Sequence, residues 1–464
     1  MPGMIRPSNN ASMAADLIIY NARIVNEGRI FNGSVLVKAG QITEVHEDSP
    51  GNNTLESYPA MQRLDAKGKY LIPGVIDDQV HFREPGLTHK GDLFTESRAA
   101  AAGGITSFME MPNTSPPALS MDLLEAKYEL AASKSLVNFS FFMGASNDNL
   151  SEIRKVNPKD VCGVKVFMGA STGNLLVDDP RALEGIFAES PALVAVHAEE
   201  ESIIRANLHA YQQRYGEAIP VEAHPLIRSR EACIQSTAKA IALALKYNTR
   251  LHVLHLSTAE EVGLFDNATP LTQKRITAEV CVHHLWFNAT DYARLGSFIK
   301  WNPAIKEESD SLALLEGLKK KYIDLIATDH APHTLEEKQR PYGQAPSGGP
   351  LVQHALPAMM EFVRQQKISL PELIQYMCHA PALAYHLEGR GFIRPGYRAD
   401  LVLLDDQVEW AVKDQPIHYK CGWSPFRDHI LHTAVTHTFV NGNLVFEQGV
   451  FHEGSRGERL KFDR

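Results

Sequence analysis

Eight short apolar stretches, most of them separated by helix-like segments, constrain this chain more than any other feature. They are YLIPGVIDDQV, GITSFMEM, NFSFFMG, VCGVKVFMG, ALVAVHAE, RLHVLHLS, ITAEVCVHHL and DLIATDHA, running from Tyr70 to Ala331. The segments between them include helical patterns from Phe94 to Ala102, Met121 to Ser133, Ala182 to Ala188 and Ser229 to Lys246. Alternation of this kind predicts an α/β chain with a parallel sheet, and eight strands predict a closed (β/α)8 TIM-like barrel. A doubly wound open sheet normally carries a glycine-rich phosphate turn after its first strand. No such turn follows Val80.

At 464 residues the chain is too long for one simple core, so a second, smaller unit is expected. Residues from about Asp16 to Lys69 read as short strands, with Asn32-Gly33 and Ala39-Gly40 as hairpin turns and a polar link, DSPGNNTLES. Similar material returns near the C-terminus, where Asn441-Gly442 is a strong hairpin signal. The two ends are expected to pair into one small β-sandwich domain (1–69 and 393–464), with the barrel (70–392) inserted between them. The stretch MPGMIRPSNNASMAAD lacks an apolar signal core and reads as a frayed tail.

Composition excludes several function classes. The formal charge of −9 offers no basic surface for nucleic acid. No run is long and apolar enough to span a membrane as a helix. The five cysteines, Cys162, Cys233, Cys281, Cys378 and Cys421, are far apart and form no CxxC, as expected of reduced thiols in a cytoplasmic protein.

Polar residues gather where the predicted strands end. Barrel enzymes build their active sites at those ends. The first strand runs into Gln79, His81 and Arg83, which share one face because strand side chains alternate. The second ends in Met111-Pro112-Asn113-Thr114. The fourth carries Lys165, the fifth His197, the sixth His255, and the seventh Glu279 with His283 and His284. The eighth carries Asp329 and His330, with His333 just beyond. A single buried histidine is commonly a hydrogen-bonded core residue. Several at matching strand ends, beside carboxylates, suit zinc or a similar divalent ion. Lys165 lies between Val164 and Val166, where desolvation favours the neutral amine. Such an amine can add carbon dioxide to give an anionic carbamate able to bridge two ions. The alternatives for Lys165 are a salt bridge or a stem snorkelling to the barrel mouth.

Taken together, Asp77 to Gly86, Met111 to Thr114, Gly163 to Met168, His197-Ala198-Glu199, His255-Leu256-Ser257, Ala327 to His333 and Cys421 to Phe426 resemble a dihydroorotase of the amidohydrolase superfamily. The likeness covers nearly the whole chain, including the flanking β-domain. It implies a cyclic amidohydrolase of pyrimidine biosynthesis, closing N-carbamoyl-L-aspartate to L-dihydroorotate reversibly. It also implies one or two zinc ions held by His81, N6-carboxylated Lys165, His197, His255 and Asp329, with Asp329 as the catalytic acid–base. Arg83 and Asn113 would hold the substrate carboxylate, and Asn302 and His333 would line the pocket near Pro346-Ser347-Gly348-Gly349. His283 and His284 are read as structural or supporting residues. A small-molecule substrate and a homo-oligomer, dimer or tetramer, follow from the same likeness.

Allantoinases and hydantoinases or dihydropyrimidinases share the metal motifs, and their ring substrates lack the carboxylate that an arginine fork suits. A further alternative is an inactive dihydroorotase-like structural subunit. It rests on one departure: the family pattern on the first strand is His-x-His, and here Gln79 takes the first place. A neutral amide oxygen is a weaker zinc ligand than imidazole. The expectation is therefore one tight ion at Lys165, His197 and His255, with His81 a weak ligand or a hydrogen-bond partner.

Overall fold

The computed structural model describes residues 16–47, 61–169 and 175–464. The expected frayed tail, apart from its last residue Asp16, and the DSPGNNTLES link lie outside them. Five strands come first: β1 (Leu17–Asn26), β2 (Arg29–Lys38), β3 (Gln41–Glu47), β4 (Gln62–Asp65) and β5 (Tyr70–Pro73). The barrel strands follow: β6 (Val75–Val80), β7 (Ile105–Glu110), β8 (Asn138–Gly144), β9 (Gly163–Phe167), β10 (Val194–His197), β11 (Leu251–Val253), β12 (Ile276–Cys281) and β13 (Leu325–Ala327). The last are β14 (Leu401–Asp405), β15 (Trp410–Ala411), β16 (Ile430–Leu431), β17 (Ala434–Val440), β18 (Asn443–Glu447) and β19 (Val450–Phe451).

Strands β6 to β13 form one parallel sheet in sequence order. The sheet curls until its edges meet: Val80 bridges His330 just past β13, and the His81 backbone N–H donates to the His330 carbonyl at 2.7 Å. All eight expected strands are present. The helices Leu93–Ala102, Met121–Lys134, Pro180–Glu189 and Arg230–Tyr247 fall where the 3.6-residue pattern places them. The first is fixed by a capping box, in which the Asp92 carboxylate accepts from Thr95 N–H at 2.8 Å.

The chain ends build the second layer. Its sheet runs β19-β18-β17-β14-β5-β1-β2-β3, with β4 beside β1. Late strand β14 pairs with early strand β5, so the two ends share one core. A buried knot ties this sheet to the barrel. Arg390 donates to Asp400, Asn138 Nδ2 donates to Asp400 Oδ2 at 3.2 Å, and Asn441 N–H donates to Asp400 Oδ1 at 2.8 Å.

Two sequence expectations need correction. YLIPGVIDDQV is not one strand but two. Its first half, β5, belongs to the chain-end sheet, and only Val75 onward enters the barrel. The break falls at Gly74, where an added Cβ would sit 2.0 Å from the Thr106 hydroxyl oxygen. Asn32-Gly33 is also not a turn; both lie inside β2. Gly33 is required there because a Cβ would meet the His46 carbonyl oxygen at 2.3 Å. The β1–β2 turn is Glu27-Gly28, with φ of 49° and 78°. Ala39-Gly40 (φ 47° and 78°) and Asn441-Gly442 (φ 50° and 76°) are turns as expected, with the paired positive φ of type I′.

Among the described residues, no helix is long and apolar enough to cross a membrane.

Candidate active site

A cavity of about 270 Å³ opens at the C-terminal ends of the barrel strands. Its walls include Gln79, His81, Arg83, Asn113, Lys165 and His197. Across from these stand His255, Asn302, Asp329 and His333, so every site residue expected from sequence faces one space.

The seam between the first and eighth strands brings Asp329, His81 and Gln79 together. Asp329 Oδ1 lies 3.1 Å from His81 Nε2 and accepts from Gln79 Nε2 at 3.2 Å. Asp329 Oδ2 receives no hydrogen bond from a described residue. Gln79 Oε1 accepts from the Cys281 thiol at 3.5 Å, so the Gln79 amide is engaged at both ends. On the other side of His81, Nδ1 meets Asn113 Oδ1 at 2.7 Å. Asn113 therefore orients His81 as well as lining the cavity. Asp329, His255 and Arg83 all have left-handed backbones, with φ of 48°, 42° and 71°. Non-glycine residues take up such strain rarely, and it clusters at functional sites.

On the opposite wall, Glu199 Oε2 accepts from His197 Nε2 at 2.8 Å. The Arg228 guanidinium binds both Glu199 oxygens and holds that carboxyl far below the usual range, so it stays ionised. An ionised acceptor fixes the His197 proton on Nε2 and leaves the Nδ1 lone pair to the cavity. That Nδ1 lies 3.0 Å from His255 Nε2. Burial pushes both imidazoles down, so both are neutral at pH 7. Beside them Lys165 is 1% exposed, and its Nζ lies 4.6 Å from the Phe167 ring centre. Desolvation drives its pKa to about 7, against the pull of Asp329 and Glu279. No described residue accepts a hydrogen bond from that amine.

Arg83 closes the outer end. Nε donates to the Pro332 carbonyl at 3.0 Å, and one Nη lies 3.1 Å from His333 Nε2. Among the described residues no carboxylate pairs with it. Burial lowers its pKa to about 10, which leaves it charged. His333 Nδ1 accepts from Lys90 Nζ at 3.0 Å, and its Nε2 donates to the Ser347 carbonyl at 3.0 Å. Asn302 Oδ1 is buried and has no partner among the described residues.

Other sequence candidates lie elsewhere. Glu279 turns into the barrel interior, where His252 Nε2 reaches it at 3.1 Å. His330 is held by Glu96 at 2.9 Å and accepts from Leu351 N–H at 2.9 Å, a role in packing. His283 stacks on Trp301, His284 Nε2 donates to the Pro303 carbonyl at 3.1 Å, and neither lines the cavity. Sequence reasoning assigned no role to Glu199, Arg228 or Trp301. The i, i+2 spacing of His197 and Glu199 could have pointed to the pair. Nothing local marks Arg228.

A model of the amidohydrolase family matches residues 70–445. The chain belongs to the amidohydrolase family. A dihydroorotase of Methanosarcina acetivorans is 32% identical over 457 residues, covering 96% of this chain and 95% of the relative. An L-hydantoinase of Paenarthrobacter aurescens is 30% identical over 447 residues, covering 94% and 95%. Among solved structures, an L-hydantoinase from Arthrobacter aurescens has a TM-score of 0.88 at 28% identity, covering 94% of this chain and 97% of that one.

Amidohydrolases are metal-dependent, and the donor set of this site fits a divalent cation. Two neutral imidazoles point ring nitrogens at one another 3.0 Å apart, near the ~3.3 Å spacing of two nitrogens on one tetrahedral zinc. One of them has its remote nitrogen fixed by a carboxylate, a common arrangement behind ligating histidines. If Glu199 sets the ligating tautomer, Glu199→Gln should weaken metal binding by about 10–100-fold. Competition with a chelator measures this, and an unchanged affinity would show that His197 is oriented by other means.

Proposed function

We propose that this amidohydrolase is a dihydroorotase, closing N-carbamoyl-L-aspartate to L-dihydroorotate and opening the ring again. The observation that carries the reading is Arg83: a buried guanidinium on the cavity wall, charged and without a carboxylate partner among the described residues. An unpaired buried charge is costly, and a substrate anion relieves that cost. The carboxylate of dihydroorotate is such an anion. Hydantoins and dihydropyrimidines have none at that place. The 30% identity to an L-hydantoinase keeps cyclic ureides as the competing substrates.

A divalent cation, with zinc suited to this donor set, would be held by His197 Nδ1, His255 Nε2 and Lys165; when bound it acidifies water and polarises the ring carbonyl. Lys165 joins that set as a carbamate. Its neutral amine attacks carbon dioxide, an N–C bond forms, and one proton leaves to solvent.

The remaining work falls to side chains. Arg83 grips the substrate carboxylate and, with His333 beside it, fixes the ring orientation. Asn302 Oδ1, buried and unpartnered, accepts a ring N–H. In hydrolysis Asp329 Oδ2 takes a proton from the attacking water and delivers it to the ring nitrogen as the C–N bond breaks. In synthesis the ureido nitrogen attacks the side-chain carboxyl carbon. Asp329 then moves the proton from that nitrogen to the departing water. Gln79 Nε2 donates to Asp329 Oδ1, and His81 Nε2 lies 3.1 Å from the same oxygen, which keeps Oδ2 on the reacting face. Gln79 supports Asp329 and does not ligate, so one catalytic ion suffices.

Lys165→Ala should lose the catalytic ion and activity together, with partial recovery in millimolar acetate or propionate. Full activity without rescue would remove the carbamate from the scheme. Arg83→Met should raise KM for dihydroorotate by roughly 10²-fold, since a charged hydrogen bond contributes about 1.5–3 kcal/mol. An unchanged KM would move the assignment to a hydantoin-type substrate.

A further inference from the structure

Beside Trp301 lies a second group of donors that the proposed reaction does not use. Cys281 ends β12, and the helical turn Val282–Trp286 places His283 and His284 directly after it. The Sγ of Cys281 and one ring nitrogen from each histidine lie within 4.8 Å of one another, and all three side chains are buried. Hydrogen bonding leaves this group incomplete. His284 Nε2 donates to the Pro303 carbonyl at 3.1 Å, which leaves the Nδ1 lone pair unpartnered. His283 is fully buried and, among the described residues, makes no hydrogen bond at either ring nitrogen. Burial keeps this imidazole neutral, so one of its two ring nitrogens carries a lone pair. Its ring stacks on Trp301, centroids 4.4 Å apart and planes 15° apart, so it has little freedom to turn toward another partner. Buried polar atoms nearly always find a partner, and an orphaned group points to an unrecorded water or ion.

We propose that Cys281, His283 and His284 bind a zinc-class divalent ion as a structural site separate from the catalytic one. A thiol with two neutral imidazoles is a borderline-soft set that suits zinc over magnesium or calcium. Cys281 gives up its thiol proton to solvent as the S–metal bond forms, and the cation offsets the burial and the nearby Glu279 and Asp329 carboxylates that oppose a thiolate there. The Pro303 carbonyl already holds the remote nitrogen of His284, as ligating histidines require. Gln79 Oε1, 3.5 Å from Cys281 Sγ, accepts from that thiol only while it is protonated, so ion binding would break this hydrogen bond. The inference stands on these residues and does not depend on the substrate assignment.

The test is zinc X-ray absorption on the zinc-loaded full-length protein and on Cys281→Ser. The catalytic set of His197, His255 and Lys165 contains no sulfur, so a sulfur shell at about 2.3 Å reports the new site alone. The expected result is a sulfur shell in the wild type, lost in Cys281→Ser together with about one zinc per chain. A wild-type spectrum with only nitrogen and oxygen neighbours overturns the proposal and leaves the catalytic ion untouched. A sulfur shell that persists in Cys281→Ser also overturns it, by assigning the thiolate to another cysteine. Should Cys281→Ser fail to fold, His284→Gln serves in its place, with loss of the same zinc expected. Retention of both zinc and the full sulfur shell in that variant counts against the site.

Discussion

One hydrogen bond, from the His81 backbone N–H to the His330 carbonyl, closes the barrel, and the site is built on that seam. It brings the end of β6 against the end of β13, strands separated by most of the domain. Only then do His81 Nε2 and Asp329 Oδ1 come within 3.1 Å. Asp77 strengthens the seam one turn deeper, where its carboxylate accepts from the Thr328 hydroxyl at 2.6 Å. Burial keeps part of that carboxyl protonated at neutral pH, with its pKa raised to about 7. The Asp329 carboxylate is thus positioned by pairing of the barrel edges, and Gln79 adds a side-chain tether to its Oδ1.

Exclusion of water does the rest. Desolvation keeps the His197 and His255 imidazoles neutral and brings Lys165 to about 7, so its amine is partly neutral at pH 7. The same desolvation leaves Arg83 charged, because a guanidinium gives up its proton far less readily. One cavity therefore holds imidazole and amine donors for a metal and, in Arg83, a charged guanidinium that no carboxylate among the described residues pairs with. That division suits a substrate carrying both a hydrolysable amide and an anionic group.

Much of this was legible in the chain. The eight barrel strands are visible because each is a compact apolar run, and the site residues because each run ends in polar side chains that a buried strand has no reason to carry. The misreadings have local causes. Leu71 to Val80 reads as one strand because Gly74 interrupts neither apolarity nor alternation; the change of sheet depends on the close approach of Thr106, a contact set by tertiary packing. Asn32-Gly33 carries a hairpin signature, yet Gly33 is there to let the His46 carbonyl approach. Arg228 locks Glu199 from a loop whose sequence has no periodic pattern. Asn113 was expected on the substrate, and the fold also spends its carbonyl on His81. Which way an amide faces is decided by neighbours brought from other strands.

A pocket that reads a carboxylate is tested most directly by the ratio of kcat/KM for L-dihydroorotate to that for 5,6-dihydrouracil, the same ring without the carboxylate. Loss of the anion leaves Arg83 buried and unpaired, and sites built to bind a polar group reject analogues lacking it strongly. The expected preference for dihydroorotate is at least about 10³-fold. Comparable efficiency on the two rings would contradict the assignment of Arg83 to the substrate and place this chain with the hydantoin-type enzymes.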